Sequence, residues 1–287
     1  MNVGLIIPAM NAGTQFKKLL EQIDRQQLPL RRKLLIDSAS TDETRTHAKM
    51  HGFEVVEIRR EEFNHGLTRQ MGFSRVAADV DIVIFMTQDA LLHNDNSFEK
   101  LTEPFHDEKV GAAYGRQLPH EGASFGAALQ RQFSYPETSR RKCYDDRKEL
   151  GIRTAFLSDS FAAYRVSALQ AIGGFPETNV SEDMYVAAKM LIAGWEIQYA
   201  ADAKVHHSHE LSLRQSFHRY YDTGIFHRNN PWLLDTFGKS EGAGIALLKT
   251  QLKAAMEHRA PLSALHFILD DAVKYISYRL GKMAFFE

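Results

Sequence analysis

The chain has 287 residues, 44% of them hydrophobic and 25% charged, with a formal net charge of -1. That composition excludes a disordered or fibrous protein, and the near-neutral charge excludes a global field that would recruit nucleic acid. A single cysteine, Cys143, excludes an intrachain disulfide and a multi-cysteine metal site, and fits a reducing compartment. No apolar run approaches the roughly 20 residues of a membrane span. The opening MNVGLIIPAMN lacks the basic region and long apolar core of a signal peptide. The expectation is a soluble cytoplasmic protein, either one large domain or one domain with an extension.

Val3 to Ile7 predicts a buried strand closed by Pro8. Phe16, Leu19, Leu20 and Ile23 then fall at i, i+3, i+4 and i+7, the stripe of an amphipathic helix. Lys33 to Ile36 predicts a second strand. Ser40 followed by Glu43 has capping-box spacing and predicts a helix through Met50. Glu54 to Ile58 and Ile82 to Met86 predict two more strands, with a helix over Thr68 to Ala78 between them. Repeated strand–helix units imply an α/β fold with a parallel sheet and helices on both faces. Ligands bind such sheets beyond the carboxyl ends of the strands.

The second half is less regular. The pattern predicts a strand over Val110 to Gly115, a helix over Ser124 to Phe133 and a charged, solvated loop over Arg140 to Lys148. A strand over Ser158 to Tyr164 follows, then the turn Gly173-Gly174-Phe175-Pro176 and a helix from Ser181 through Ala193. Glu196 to Tyr199 and Ala203 to His207 predict two short strands. Beyond Leu211 the pattern is helical. Leu262, Leu265, Leu269, Ala272, Ile276 and Leu280 line one side of a helix opened by Pro261 and stopped by Gly281.

Pro8 to Asn11, Asp37 to Asp42, and Gln88-Asp89 each follow a strand, so the topology should gather them on one rim. Singly, each fits a helix cap or a turn equally well. A capping turn accounts for Ser40 but not for Asp37, whose carboxylate can accept the N–H of a pyrimidine ring. In Asn64-His65-Gly66-Leu67-Thr68-Arg69, Gly66 permits close backbone approach, and the helix start attracts anions. A phosphate or sugar contact for Arg69 competes with a plain surface ion pair. His207 and His209, at i and i+2 on a strand end, fall on the same side, so one of them could join Asp89 around Mg²⁺ or Mn²⁺. Zinc would want further Cys or His ligands. In Ser181-Glu182-Asp183 the two acids suit a helix start, or one of them serves as a general base. Adjacent helical side chains point about 100° apart, so only one should face a site.

PAMN, IDSASTDET, FNHGLTRQMG, TQDA, SFAAYR, GGFPE, SEDMYVAAKMLIAGW and HHSH stand in the order found in family-2 glycosyltransferases with the GT-A fold. Over residues 1 to 215 the chain resembles bacterial rhamnosyltransferases in particular, whose hallmark is TQDA where other members have Asp-X-Asp. The resemblance implies a GT-A catalytic domain over about 1–215, with a nucleotide-sugar half to about 115 and an acceptor half beyond it. A C-terminal helical extension would cover 216–287. It implies that Asp37 reads the base and that Pro8, Asn11, Ser38, Asn64, Gly66, Arg69 and Gln88 serve the nucleotide sugar. Asp89 would hold Mg²⁺ or Mn²⁺ on the diphosphate, with His207 or His209 as a further ligand. Asp183 would be the catalytic base, its pKa raised by neighbouring acids, and Phe161, Gly174, Phe175 and Glu182 would shape the acceptor or sugar pocket. The chain departs from the wider family at Gln88, where Asp is usual, at Gln70, where Asn is frequent, and at Lys189, where Arg is.

The activity implied is inverting transfer of a sugar from a nucleotide sugar, dTDP-L-rhamnose by the TQDA resemblance, to a glycan or lipid-linked glycan in cell-surface polysaccharide synthesis. The alternatives are a UDP-hexose donor or a non-catalytic sugar-nucleotide binder. A dinucleotide oxidoreductase would show Gly-X-Gly-X-X-Gly after the first strand, which is absent. A nucleotidyltransferase would want a Gly-rich, basic opening loop, and PAMNAG is not one. The apolar stripe after Pro261 fits burial against the catalytic domain or a second subunit. Together with Lys249, Lys253, Arg259, Lys274, Arg279 and Lys282, it also fits a peripheral contact with the inner membrane face.

Overall fold

The structure is a computed structural model that describes residues 1–239 and 241–284. Residue 240 and the last three residues of the expected extension lie outside the described residues. The first half builds β1 (Val3–Ala9), α1 (Gly13–Asp24), β2 (Arg32–Ser38), α2 (Thr44–Met50), β3 (Glu54–Ile58), α3 (His65–Val76) and β4 (Ile82–Met86). All pairings among these four strands are parallel, in the order β3-β2-β1-β4. Their alternating side chains divide between two cores. Ile6, Leu34 and Ile36 pack with Phe73 and Val76 on one face, while Leu5, Ile7 and Leu35 pack with Phe16, Leu19 and Leu20 on the other. Burial on both faces makes these strands continuous hydrophobic runs.

The second half closes the sheet with mixed directions. Its strands are β5 (Leu91–Leu92), β6 (Val110–Leu118), β7 (Arg140–Lys142), β8 (Phe161–Arg165) and β9 (Glu196–His206). β8 runs antiparallel to both β4 and β6, whereas β6 and β9 are parallel. Two expected strands, 196–199 and 203–207, are one strand whose register against β6 jumps between Gly115 and Arg116, a bulge that bends it without ending it. The helices here are α4 (Ser97–Thr102), α5 (Phe125–Ser134), α6 (Arg147–Leu150), α7 (Val166–Ala171) and α8 (Glu182–Ile192).

Several local expectations are corrected. β1 continues through Pro8, which lies past the last β1–β4 pair, Ile6 with Phe85. The Ser40/Glu43 capping box does not form: α2 starts at Thr44, and the Ser40 hydroxyl instead accepts Asn11 N–H at 2.8 Å. The charged segment 140–148 is not a solvated loop. Lys142 is buried in β7, its ammonium donating to the Phe156 carbonyl at 2.6 Å above the Tyr114 ring, and burial lowers its pKa to about 7.

Beyond β9 come α9 (Leu213–Asn229), α10 (Pro231–Phe237), α11 (Glu241–Glu257) and α12 (Pro261–Met283). Gly281 does not stop α12. It lies where α12 crosses α9 so closely that a Cβ would stand 2.0 Å from the Tyr221 carbonyl oxygen. The inner side of α12 is Phe267, Ser277, Tyr278 and Gly281, so the expected apolar stripe points outward, with Leu262 82% exposed.

Candidate active site

The β1, β2 and β4 ends meet on one rim, and their loops are stitched together. Asn11, in the left-handed region at φ 44°, accepts Thr41 N–H at 2.8 Å, while Thr44 Oγ1 and Asp42 accept the N–H groups of Ala12 and Gly13 at 2.9 and 3.0 Å. These borrowed acceptors cap α1, which has none of its own. Burial raises the Asp42 carboxyl, but its bonds from Thr44 and Gly13 outweigh that and hold it low. Gln88 clamps the same loop at both polarities: its Oε1 accepts Met10 N–H at 2.7 Å and its Nε2 donates to Met10 O at 3.2 Å. An aspartate could make only the first of these contacts.

Asp37, fully buried at the end of β2, takes Ser40 N–H on Oδ2 at 2.9 Å; its Oδ1 has no hydrogen-bond partner. Ser38 is buried beside it, its hydroxyl also unpartnered. Both stand one strand over from β1, outside the lining of the main cleft, and Asp37 is linked through Ser40 to Asn11, in the loop that Gln88 clamps.

Asp89 meets the histidines by register. β5 and β9 pair Leu91 with His206 in antiparallel fashion, and continuing two residues back sets Asp89 opposite Ser208, between His207 and His209. The Nε2 atoms of His207 and His209 lie 3.6 and 3.4 Å from the Asp89 oxygens, so both imidazoles arrive where one was expected. One ligand atom from each of the three residues falls within 4.8 Å of the others. Burial lowers the His207 imidazole to about 3 and lowers His209 as well. His207 Nε2 is buried without a hydrogen-bond partner and faces a carboxylate, while Nδ1 faces the Gln117 amide oxygen at 2.9 Å, which leaves the lone pair on Nε2. Two facing acceptors want a cation between them, so the donor set fits a divalent metal.

The second centre is acidic. Ser181 caps α8 from the left-handed region at φ 60°, a conformation uncommon outside glycine and concentrated at functional sites. At the tip of the helix, where the first turn meets the cleft end-on, Glu182 and Asp183 both line it; the expectation that only one would is corrected. Glu182 is taken by Arg69, whose NH1 stands 3.0 Å from Oε1, and Arg69 Nε lies 2.9 Å from the buried Asp159. Tyr164 donates to Asp159 at 2.5 Å. Arg69 is thus a buried ion-pair centre rather than a surface one, with its charge already shared by two carboxylates. Asp183 Oδ1 accepts only Met184 N–H, at 2.7 Å, from its own helix. Burial, then the charges of Glu182 and Asp159, raise the Asp183 carboxyl to about 8.

A cleft of about 1140 Å³ joins the two centres, with His207, His209, Asp183, Glu182, Arg69 and Asp159 on its walls. That exceeds the roughly 300–1,000 Å³ of single-ligand pockets and leaves room for two substrates. Arg219 and Tyr220 of α9, Gln251 of α11, and His266, Asp270 and Lys274 of α12 form its far side.

Other expected site residues serve the scaffold. Asn64 caps α3 through Leu67 N–H and also holds Thr178 N–H. Gly66 does allow a close approach, but to the Pro176 carbonyl, 1.7 Å from where a Cβ would stand. Gly174 packs on Gln70, which accepts Phe175 N–H. Phe175 stacks edge-on against Phe85 and Tyr164, and Phe161 packs with Phe98 in the opposite core, so neither opens into the cleft. Asp159, Gln117 and Arg131 were missed. Asp159 precedes β8, whose antiparallel direction brings its starting end to the rim that the parallel strands reach with their carboxyl ends. The polar run Ser158-Asp159-Ser160 was the available signal.

The family description "Glycosyl transferase family 2" matches residues 5–173. The "O-antigen chain rhamnosyltransferase WbaN" of Salmonella anatum is 41% identical over 97% of this chain and 88% of its own length. The "O-antigen chain rhamnosyltransferase RfbN" of Salmonella typhimurium is 39% identical over 98% of this chain and 90% of its own. Among solved structures, the mannosyltransferase PcManGT of Pyrobaculum calidifontis, in complex with GDP-Man and Mn²⁺, superposes with a TM-score of 0.68 at 17% identity, covering 98% of this chain and 87% of that one. S. aureus TarS 1-349 gives 0.60 at 14% identity over 99% and 90%. With a GT-A-like mixed sheet, and with an acidic helix tip and two of the three metal-competent side chains, His207 and His209, on the same cleft, the chain belongs to glycosyl transferase family 2.

Proposed function

We propose that the protein transfers L-rhamnose from dTDP-L-rhamnose to a hydroxyl of a lipid-linked glycan in O-antigen synthesis, by single displacement with inversion. The observation that carries this reading is that Asp183 and the imidazoles of His207 and His209 line one cleft. The nearly full-length likeness to proteins named rhamnosyltransferases supports the sugar. Asp183, tied through Oδ1 to its own helix, keeps Oδ2 for the acceptor's hydroxyl proton. A raised pKa makes it a stronger base once ionised, and such a base is worth about 10²–10⁴-fold. Asp89, His207 and His209 would hold Mg²⁺ or Mn²⁺, which supplies Lewis-acid neutralisation of charge on the leaving diphosphate. Asp37 Oδ1, a buried acceptor lacking a donor, suits the imide N–H of thymine. Gln88 serves the nucleotide indirectly, by fixing the Met10–Asn11 loop.

The acceptor occupies the side of the cleft walled by α9 and α12. Leu262 both lines the cleft and begins the outward apolar face of Leu265, Ile268, Leu269, Ile276 and Leu280, with Arg259 and Lys253 exposed nearby in sequence. This is the pattern of a helix lying in a membrane interface, and it would meet a lipid-linked acceptor where that acceptor resides. Among the described residues no helix is long and apolar enough to cross the membrane. A panel of sugar nucleotides with Mn²⁺ and an extracted lipid-linked acceptor tests the reading. Transfer from dTDP-L-rhamnose above all others is expected; preference for a UDP-hexose, or binding without transfer, overturns it.

A further inference from the structure

One buried amide outside the Asp89, His207 and His209 cluster contacts one of its imidazoles. Gln117, at the end of β6 and 2% exposed, makes three hydrogen bonds. Its Oε1 accepts Arg131 NH1 at 2.7 Å and faces His207 Nδ1 at 2.9 Å, while its Nε2 donates to Ser158 Oγ at 2.9 Å. A hydroxyl either donates or accepts, so Ser158 does not orient the amide. A guanidinium only donates. Arg131 therefore requires the amide oxygen on its side, and that same oxygen requires His207 Nδ1 to carry the ring proton. The lone pair then falls on Nε2, the atom that is buried without a hydrogen-bond partner and points at Asp89.

We infer that Gln117 is a positioning residue that fixes the metal-binding tautomer of His207, with Arg131 as the group that sets its orientation. An amide flip would present N–H to His207 Nδ1, move the ring proton to Nε2 and close the site to a cation. Gln117 also holds one edge of the Arg131 guanidinium, which lines the cleft beside His207. The two groups thus share one anchor, and a shift in either is felt by the other.

This inference rests on the metal reading above, and the experiment separates the two. Mn²⁺ affinity is measured by EPR on the purified protein without donor, alongside circular dichroism and thermal melting. Wild-type protein that binds no Mn²⁺ removes the metal reading itself. Given binding, Gln117→Leu should weaken it about 10–100-fold, the usual range for a residue that orients a metal-ligating histidine. Gln117→Glu keeps an acceptor for both donors and should bind at least as tightly as wild type. Arg131→Met removes a positive charge that acts on Asp89, His207 and His209 and so would by itself favour a cation. Weaker Mn²⁺ binding in this variant is the result expected from freeing the amide to flip, and tighter binding counts against that role for Arg131. A folded Gln117→Leu with wild-type affinity overturns the inference. If that variant does not fold, a folded Gln117→Glu that loses tenfold or more overturns it instead.

Discussion

At the scale of residues, Asp183 keeps its proton near neutral pH because its site is buried and two other carboxylates stand close, which outweighs the Met184 N–H bond and the charge of Arg69. A base must be ionised, so kcat/KM for transfer should climb with pH through about 8. Asp159→Asn deletes one of the negative neighbours, and the rising limb should move to lower pH. A pH–rate profile left in place would contradict the coupling. Stability follows the same charges. The folded-state carboxyl of Asp183 lies above its unfolded value of about 3.9, so its contribution is fully present below pH 4 and is lost as pH rises through about 8. Asp183→Asn cannot ionise, so its melting temperature should exceed that of wild type by a margin that widens between pH 4 and pH 8. Activity here is held at some expense in stability.

At the scale of elements, two contacts invite substitution. The β1–α1 loop depends on an amide that both accepts from and donates to Met10. Gln88→Asp shortens the side chain and places an acceptor against the Met10 carbonyl. The KM for the nucleotide sugar should rise several-fold, and the second acid placed beside Asp89 should bring no gain in metal affinity. Equilibrium Mn²⁺ binding and initial rates would show it. The α9–α12 crossing depends on Gly281 and Gly224, whose missing Cβ atoms let backbones touch. Gly281→Ala should destabilise the crossing by about 1–3 kcal/mol and raise the acceptor KM more than the donor KM, because α9 and α12 wall the side of the cleft proposed for the acceptor. Sequence periodicity located these helices but not their contacts. The stripe Leu262 to Leu280 is helical as its spacing required, yet it faces outward. Burial is satisfied on the other side by glycine, serine and aromatic residues, which leave no hydrophobic period to read. Likewise Ser40 had the spacing of a cap but bonds across to Asn11, since a neighbouring loop competed for it.

At the scale of the whole molecule, one cleft gathers residues from positions 65 to 274. The parallel half was legible because strands buried on both faces leave plain apolar runs whose carboxyl ends must share a rim. Asp89, His207, His209, Glu182 and Asp183 were found that way or through the family likeness. Asp159 and Gln117 were not. Asp159 starts an antiparallel strand, to which the carboxyl-end rule does not apply, and a single glutamine at a strand end has no distinguishing pattern. Phe161 and Phe175 stood in family motifs whose role in this chain is packing. The α9–α12 wall could not be read at all, since which helix face meets a cleft is a tertiary fact. What the proposed function asserts is a base, Asp183, that shares one cleft with the imidazoles of a cation site. Donor binding by calorimetry and transfer by product formation, measured together on Asp183→Asn with Mn²⁺ present, test that assertion most directly. Retained donor affinity with transfer reduced by at least about 10²-fold is the predicted result; transfer at the wild-type rate would contradict it.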